Sequence, residues 1–68
     1  MQKKGRMTMY KYGMRLRPVG VGCQPSRFRK YEDVNKNQTG YWSYVWYMYK
    51  LTDEQLKRYE MDYLGEDE

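Results

Sequence analysis

The chain contains no histidine, and its only cysteine is Cys23. The first absence removes the commonest general base near neutral pH. It also leaves Cys23 with no imidazole to activate its thiol, so this residue reads as a small, half-buried one beside a loop. One cysteine cannot close an intrachain disulfide, and without histidine or a cysteine pair no metal-ligand spacing exists. No cofactor is expected either. Gly20-Val21-Gly22 lacks the third glycine and the following helix of a dinucleotide loop, and Pro25 stands where that glycine would be. Glu60 and Asp62 sit two apart, a spacing that points them in different directions on a helix, so they do not read as a paired acid and base. No apolar run approaches the ~18–20 residues that span a bilayer. The basic start Met1-Gln2-Lys3-Lys4-Gly5-Arg6 is followed by no apolar signal-peptide core. The expectation is a protein that is not an enzyme, has no membrane partner and resides in a reducing cytoplasm.

What is present is aromatic bulk: nine Tyr, two Trp and one Phe in 68 residues. A chain this short buries only about 60% of its unfolded surface, so its core is expected to supply only about 3–5 kcal/mol. The densest stretch runs from Tyr41 to Tyr49 and holds six of the twelve aromatic residues. Aromatic and β-branched residues favour a strand. At strand period Tyr41, Ser43, Val45, Tyr47 and Tyr49 point one way, and Trp42, Tyr44, Trp46 and Met48 the other. Both faces are apolar, and a small domain has material to cover only one.

Along the chain, residues 1–7 read as a flexible basic tail, 8–65 as a single domain and 66–68 as an acidic tail. Residues 8–17 alternate, with Tyr10, Tyr12, Met14 and Leu16 on one face and Lys11, Gly13, Arg15 and Arg17 on the other. Pro18 ends this first strand. Residues 20–26 read as an ordered loop. Residues 27–32 read as a second strand, and the polar turn 33–40 leads from it into the aromatic strand as an antiparallel hairpin. A capping box opens the closing helix: Thr52 is the N-cap and Gln55 lies three residues on. Leu51 and Leu56 form a hydrophobic staple around it, and Leu56, Tyr59, Tyr63 and Leu64 make an apolar stripe that Gly65 ends.

The expected fold class is α+β: a three-stranded antiparallel sheet followed by one C-terminal helix, β-β-β-α. The core is expected to join the Tyr10–Leu16 face and the helix stripe to Trp42, Tyr44, Trp46 and Met48, because the two indoles carry the most apolar area.

The charge is divided. Residues 1–50 carry eleven Lys/Arg against Glu32 and Asp33, a balance of +9, while residues 51–68 carry two against seven acids, a balance of −5. For most of these charges mutual neutralisation and solubility are sufficient explanation. The remainder suggests two kinds of surface. Lys11, Arg15, Arg17, Arg27, Arg29 and Lys30 would meet nucleic-acid phosphate, with Tyr and Trp offering bases a stacking platform. No motif of a known nucleic-acid-binding fold accompanies them. Tyr, Trp, Met and Arg are also the residue types enriched at protein interfaces. That enrichment points to protein contact through Tyr41, Tyr47, Tyr49, Trp46, Arg15 and Arg17, and the spare aromatic face would also admit a homodimer.

Several segments carry a resemblance: Tyr12-Gly13-Met14-Arg15-Leu16-Arg17, Gly22-Cys23-Gln24-Pro25, Gly40-Tyr41-Trp42, Leu51-Thr52-Asp53-Glu54-Gln55-Leu56 and Tyr59-Glu60-Met61-Asp62-Tyr63-Leu64. Together they resemble a group of short proteins carried by phages, plasmids and conjugative elements of gut Firmicutes, a setting that includes anti-CRISPR inhibitors. Where those relatives tend to carry Tyr-Asp-Arg before the helix, this chain has Tyr47-Met48-Tyr49-Lys50. The resemblance implies an inhibitor, in the bacterial host cytoplasm, of a Cas9-type effector loaded with guide RNA. Its action would be steric occlusion of PAM recognition, with Asp53, Glu54, Glu60 and Asp62 drawn to the effector's basic surface and the aromatic strand as anchor. The alternative it leaves is a basic nucleic-acid-binding accessory protein of the mobile element.

Overall fold

A computed structural model describes residues 8–17 and 24–67 of the chain. The expected basic tail at 1–7 and the loop residues 20–23, Cys23 among them, lie outside the described residues, as does Glu68. Strand β1 spans Met9–Met14, β2 Lys30–Asp33 and β3 Ser43–Tyr47, with a short helix α1, Lys36–Thr39, between β2 and β3. Helix α2 spans Asp53–Tyr59, and β4 spans Met61–Asp67. The four strands form one antiparallel sheet in the order β2-β3-β1-β4.

The expected β-β-β-α arrangement is therefore corrected. The sheet has four strands, there are two short helices, and the chain closes on a strand. The capping box is present: the Thr52 hydroxyl accepts from the Gln55 N–H, and the Gln55 side chain accepts from the Thr52 N–H at 2.9 Å. The helix it opens stops at Tyr59, well short of Gly65. Glu60 takes a left-handed conformation (φ 52°), and its N–H donates back to the carbonyls of Leu56 and Lys57. From there Met61 and Tyr63 follow strand period, and Glu66 and Asp67, read as tail, are strand residues paired with Tyr10 and Met9. The reason lies in β1. One of its edges pairs with β3, and a buried strand cannot leave its other row of N–H and C=O groups unpaired. β4 takes that edge. Gly65, expected as a helix cap, faces Lys11 across a bulge that skips Leu64, and its φ of 117° is the conformation the bulge asks of glycine.

β2 and β3 form the antiparallel hairpin expected from their spacing. The polar turn between them contains α1. The Asn35 side chain caps it by accepting from the N–H groups of Asn37 and Gln38.

The core lies on one face of the sheet, where Tyr12, Met14, Val45, Tyr47 and Met61 are buried together with Leu51. Leu56 and Tyr59 of α2 pack against that cluster. This reverses the expected choice of face: Val45 and Tyr47 are inside, Tyr44 and Trp46 project from the opposite side, and Met48 and Leu16 are both exposed. The β-branched Val45 fits between the Tyr12 and Tyr31 positions across the sheet. The core phenols are hydrogen-bonded. The Tyr47 hydroxyl donates to the Pro25 carbonyl at 2.6 Å, and the Tyr12 hydroxyl accepts from the Leu51 N–H at 2.8 Å. Tyr31 donates to Ser43, whose own hydroxyl donates to the Met14 sulfur. Among the described residues no buried side-chain polar atom is left unpaired.

Candidate functional site

The opposite face of the sheet is built in cross-strand rows. Register places Lys30, Trp46 and Lys11 side by side across β2, β3 and β1. The next row holds Glu32, Tyr44, Gly13 and Asp62. Beyond it, at the start of β3, Trp42 continues the pairing: its N–H donates to the Met14 carbonyl and its carbonyl accepts from the Val34 N–H.

Cations from β1, β2, α1 and the segment after β1 stand over these rings. The Lys11 ammonium stands 4.1 Å from the Tyr44 ring centroid and 5.5 Å from that of Trp46, and Lys30 stands 4.5 Å from Trp46. Arg17 and Lys36 approach Trp42 at 5.5 and 5.6 Å. Tyr44 meets Trp46 edge-on. Trp46 is only 2% exposed, and its indole N–H donates to Asp67 at 2.8 Å. Each cation over a ring is worth about 0.5–1 kcal/mol at an exposed site.

Tyr41 closes the lower end. Its ring lies flat on Gly13, so close that a Cβ there would stand 2.6 Å from Cδ1. Its hydroxyl donates to Asp62 at 2.9 Å, and Arg15 reaches the same carboxylate at 3.2 Å. The Tyr41 phenol titrates above its ordinary range, first because of its bond to Asp62 and then because of burial. Tyr12 and Tyr47, in the core, are pushed up chiefly by burial.

The expected site residues thus separate. Trp46, Tyr41, Arg15, Arg17 and Asp62 share the second face, as do Lys11 and Lys30. Tyr47 does not belong with them. It is fully buried in the core and has no surface to offer a partner. Tyr49 is exposed on the other side, where its hydroxyl donates to the Ser26 carbonyl and its ring meets Tyr47. The four acids expected to act as one surface are dispersed: Asp53 and Glu54 start α2, Glu60 caps it, and Asp62 is tied to Arg15 across the sheet. Arg27 and Arg29 are exposed beside β2, Arg27 with a φ of 68°. Bases have no free ring to stack on at Trp46, because Lys11 and Lys30 already occupy the ring.

Sequence reasoning missed Lys36 and Asp67 as members of this face, and it grouped Trp42 and Tyr44 with Trp46 but assigned all three to the core. For Lys36 a signal existed: Asn35 just before it is an N-cap residue type, which turns a polar run into a helix start. Asp67 carried none, since its role depends on β4 pairing with β1. A concavity of about 330 Å³ lies between the start of α2 and β4, lined by Tyr12, Lys50, Leu51, Thr52, Asp53, Leu56 and Tyr63. Among the described residues no group of three or more acidic or cysteine side chains is placed to hold a metal, and no helix is long and apolar enough to cross a membrane.

Compared with known proteins, residues 7–66 match the model of a family described as defence against restriction A, C-terminal. No curated protein and no solved structure matches the chain. An anti-defence kinship was expected from the resemblance, and it holds at this level. A Cas9-directed activity is no part of the family's description.

Proposed function

The chain belongs to the defence against restriction A C-terminal family, and from that premise we propose that it is a non-catalytic anti-defence protein of a phage or related mobile element. It acts in the bacterial host cytoplasm by occupying a surface that a defence nuclease must reach. One observation supports this reading: on the sheet face opposite the core, Lys11 and Lys30 stand over the rings of Tyr44 and Trp46. Such a face offers a rigid, positively charged platform to a larger molecule. Inhibition of a guide-loaded Cas9 at its PAM-reading surface is the narrower form of this proposal. The dispersal of Asp53, Glu54, Glu60 and Asp62 leaves it less support than the basic face gives to the broader form.

Occlusion is stoichiometric, and that is how it is tested. DNA is digested by a restriction endonuclease, and in parallel by guide-loaded Cas9, with rising amounts of the protein. Protection should saturate at a fixed ratio of protein to target and should not grow with preincubation time. Unchanged cleavage by both nucleases at large excess would overturn the proposal. Protection at a small fraction of the target concentration would instead require turnover, and would remove the non-catalytic part. Protection from Cas9 alone would select the narrower form.

A further inference from the structure

The cations on the second face are arranged in two pairs. Lys11 and Lys30 bracket Trp46, and Arg17 and Lys36 bracket Trp42. Trp46 lies four residue steps after Trp42 along the chain, about 13 Å at ~3.3 Å per strand residue. Duplex DNA presents a phosphate every ~3.4 Å of axis on each strand, so the two pairs span about four base-pair steps. We infer that this face binds the phosphate backbone of duplex DNA without regard to sequence. The inference rests on the anti-defence reading and names the partner of its surface.

Three observations favour backbone contact over base stacking and over a protein partner. The rings that would receive a base are occupied: Trp46 is almost wholly buried beneath two lysines, and Lys11 sits on Tyr44. A stacked base would have to displace those ammoniums. The cations themselves are held in place by the rings beneath them, so less side-chain freedom is lost when a phosphate arrives. Two of the carboxylates on the face are already engaged, and among the described residues none pairs with the four cations. Asp62 takes both Arg15 and the Tyr41 hydroxyl, Asp67 takes the Trp46 N–H, and Glu32 lies on the outer strand β2. Four cations therefore remain free of acidic partners on the described surface of this face, which suits a polyanion better than a mixed-charge protein surface.

The number four sets the test. Neutralising four phosphates predicts a slope of about −3.6 for log affinity against log salt, or about 150-fold weaker binding between 50 and 200 mM salt. Fluorescence polarisation with labelled duplexes of unrelated sequence should give that slope with each. The double variant Lys11→Gln/Lys30→Gln keeps the stems over the rings and removes two charges. Its slope should fall to about −1.8, about 12-fold over the same salt range. Asp53→Asn, on the other side of the molecule, should leave the duplex affinity within twofold. Circular dichroism confirms that each variant is folded. Absence of duplex binding at 50 mM salt would overturn the inference, and if nuclease protection persisted the broader reading would stand with a protein as partner. Tighter binding to single strands with quenching of tryptophan fluorescence would also overturn it, in favour of stacking. Salt-dependent duplex binding with no protection from any nuclease would uphold the DNA contact and remove the anti-defence role.

Discussion

The two faces of this sheet use one strand and the same residue types to opposite ends. On one side of β3, Val45 and Tyr47 are shielded by other parts of the chain: by Tyr12 and Met61 from neighbouring strands, by α2 and by the segment around Pro25. On the other side, Tyr44 and Trp46 are shielded by lysines of adjacent strands. Burial by packed apolar groups makes a core, which holds the fold and contacts nothing else. Burial under a lysine takes an indole out of water while the outer surface stays charged. A domain too small for two cores can thus carry aromatic residues on both faces without presenting an apolar patch, and the second face remains available for binding.

The comparison breaks most readily at Tyr12. Tyr12→Ala removes a buried ring and leaves the Leu51 N–H without its acceptor. We expect a loss of about 3–5 kcal/mol, which is most of what a core of this size provides. Tyr44→Ala, on the cation-covered face, should cost about 1 kcal/mol when both variants are unfolded in urea. Equal costs would mean that the second face is a core like the first.

Gly13→Ala is expected to cost about 1–3 kcal/mol, because its methyl would meet the Tyr41 ring. Combining it with Tyr41→Ala should recover most of that loss, and simple additivity of the two in a double-mutant cycle would refute the contact.

Alkaline pH sharpens the contrast further. The folded-state pKa values of Tyr47 and Tyr12 lie above the ordinary value of 10.0, chiefly because burial disfavours the phenolate. A raised pKa means that the stability these groups contribute is complete below about pH 10 and is lost as pH climbs beyond it. The slope should reach up to about 1.4 kcal/mol per pH unit for each such phenol. Tyr47→Phe should flatten the alkaline limb more than Tyr41→Phe does. An unfolding curve indifferent to pH between 9 and 12 would contradict the burial of these hydroxyls.

The smallest effect is expected at Arg15. Its bridge to Asp62 joins side chains that are 46% and 43% exposed, so Arg15→Ala should cost only a few tenths of a kcal/mol and less in high salt. A loss above 1 kcal/mol would show that the Arg15–Asp62–Tyr41 cluster acts as a cooperative unit.

How far the sequence could be read differs from element to element. The start of α2 was legible because Thr52 and Gln55 satisfy one another across a single turn. The alternation through Tyr10, Tyr12 and Met14 was legible for the same local reason, as was the pairing of β2 with β3. The segment after Tyr59 was not. Leu56, Tyr59 and Tyr63 fit a helical stripe, Met61 and Tyr63 fit a strand, and only the unpaired edge of β1 favours the second. The orientation of β3 was equally undetermined, since both of its faces are apolar by composition. At the candidate site, Lys11, Arg17 and Lys30 were recognisable as basic residues of probable strands. That they stand on rings, and that this leaves the rings closed to bases, depends on cross-strand register.

By itself, the sequence determined that the protein would be a small sheet-based domain, rich in aromatic residues, without histidine and with basic charge concentrated in its first fifty residues. These are properties of composition and of neighbours within a turn, where the interacting groups are tied by a few covalent bonds. The tertiary structure decided which face of the aromatic strand became the core, that the last residues joined the sheet, and which cations cover which rings. Those outcomes depend on backbone groups and side chains far apart in the chain competing for one edge and one interior, and local pattern is silent on that competition.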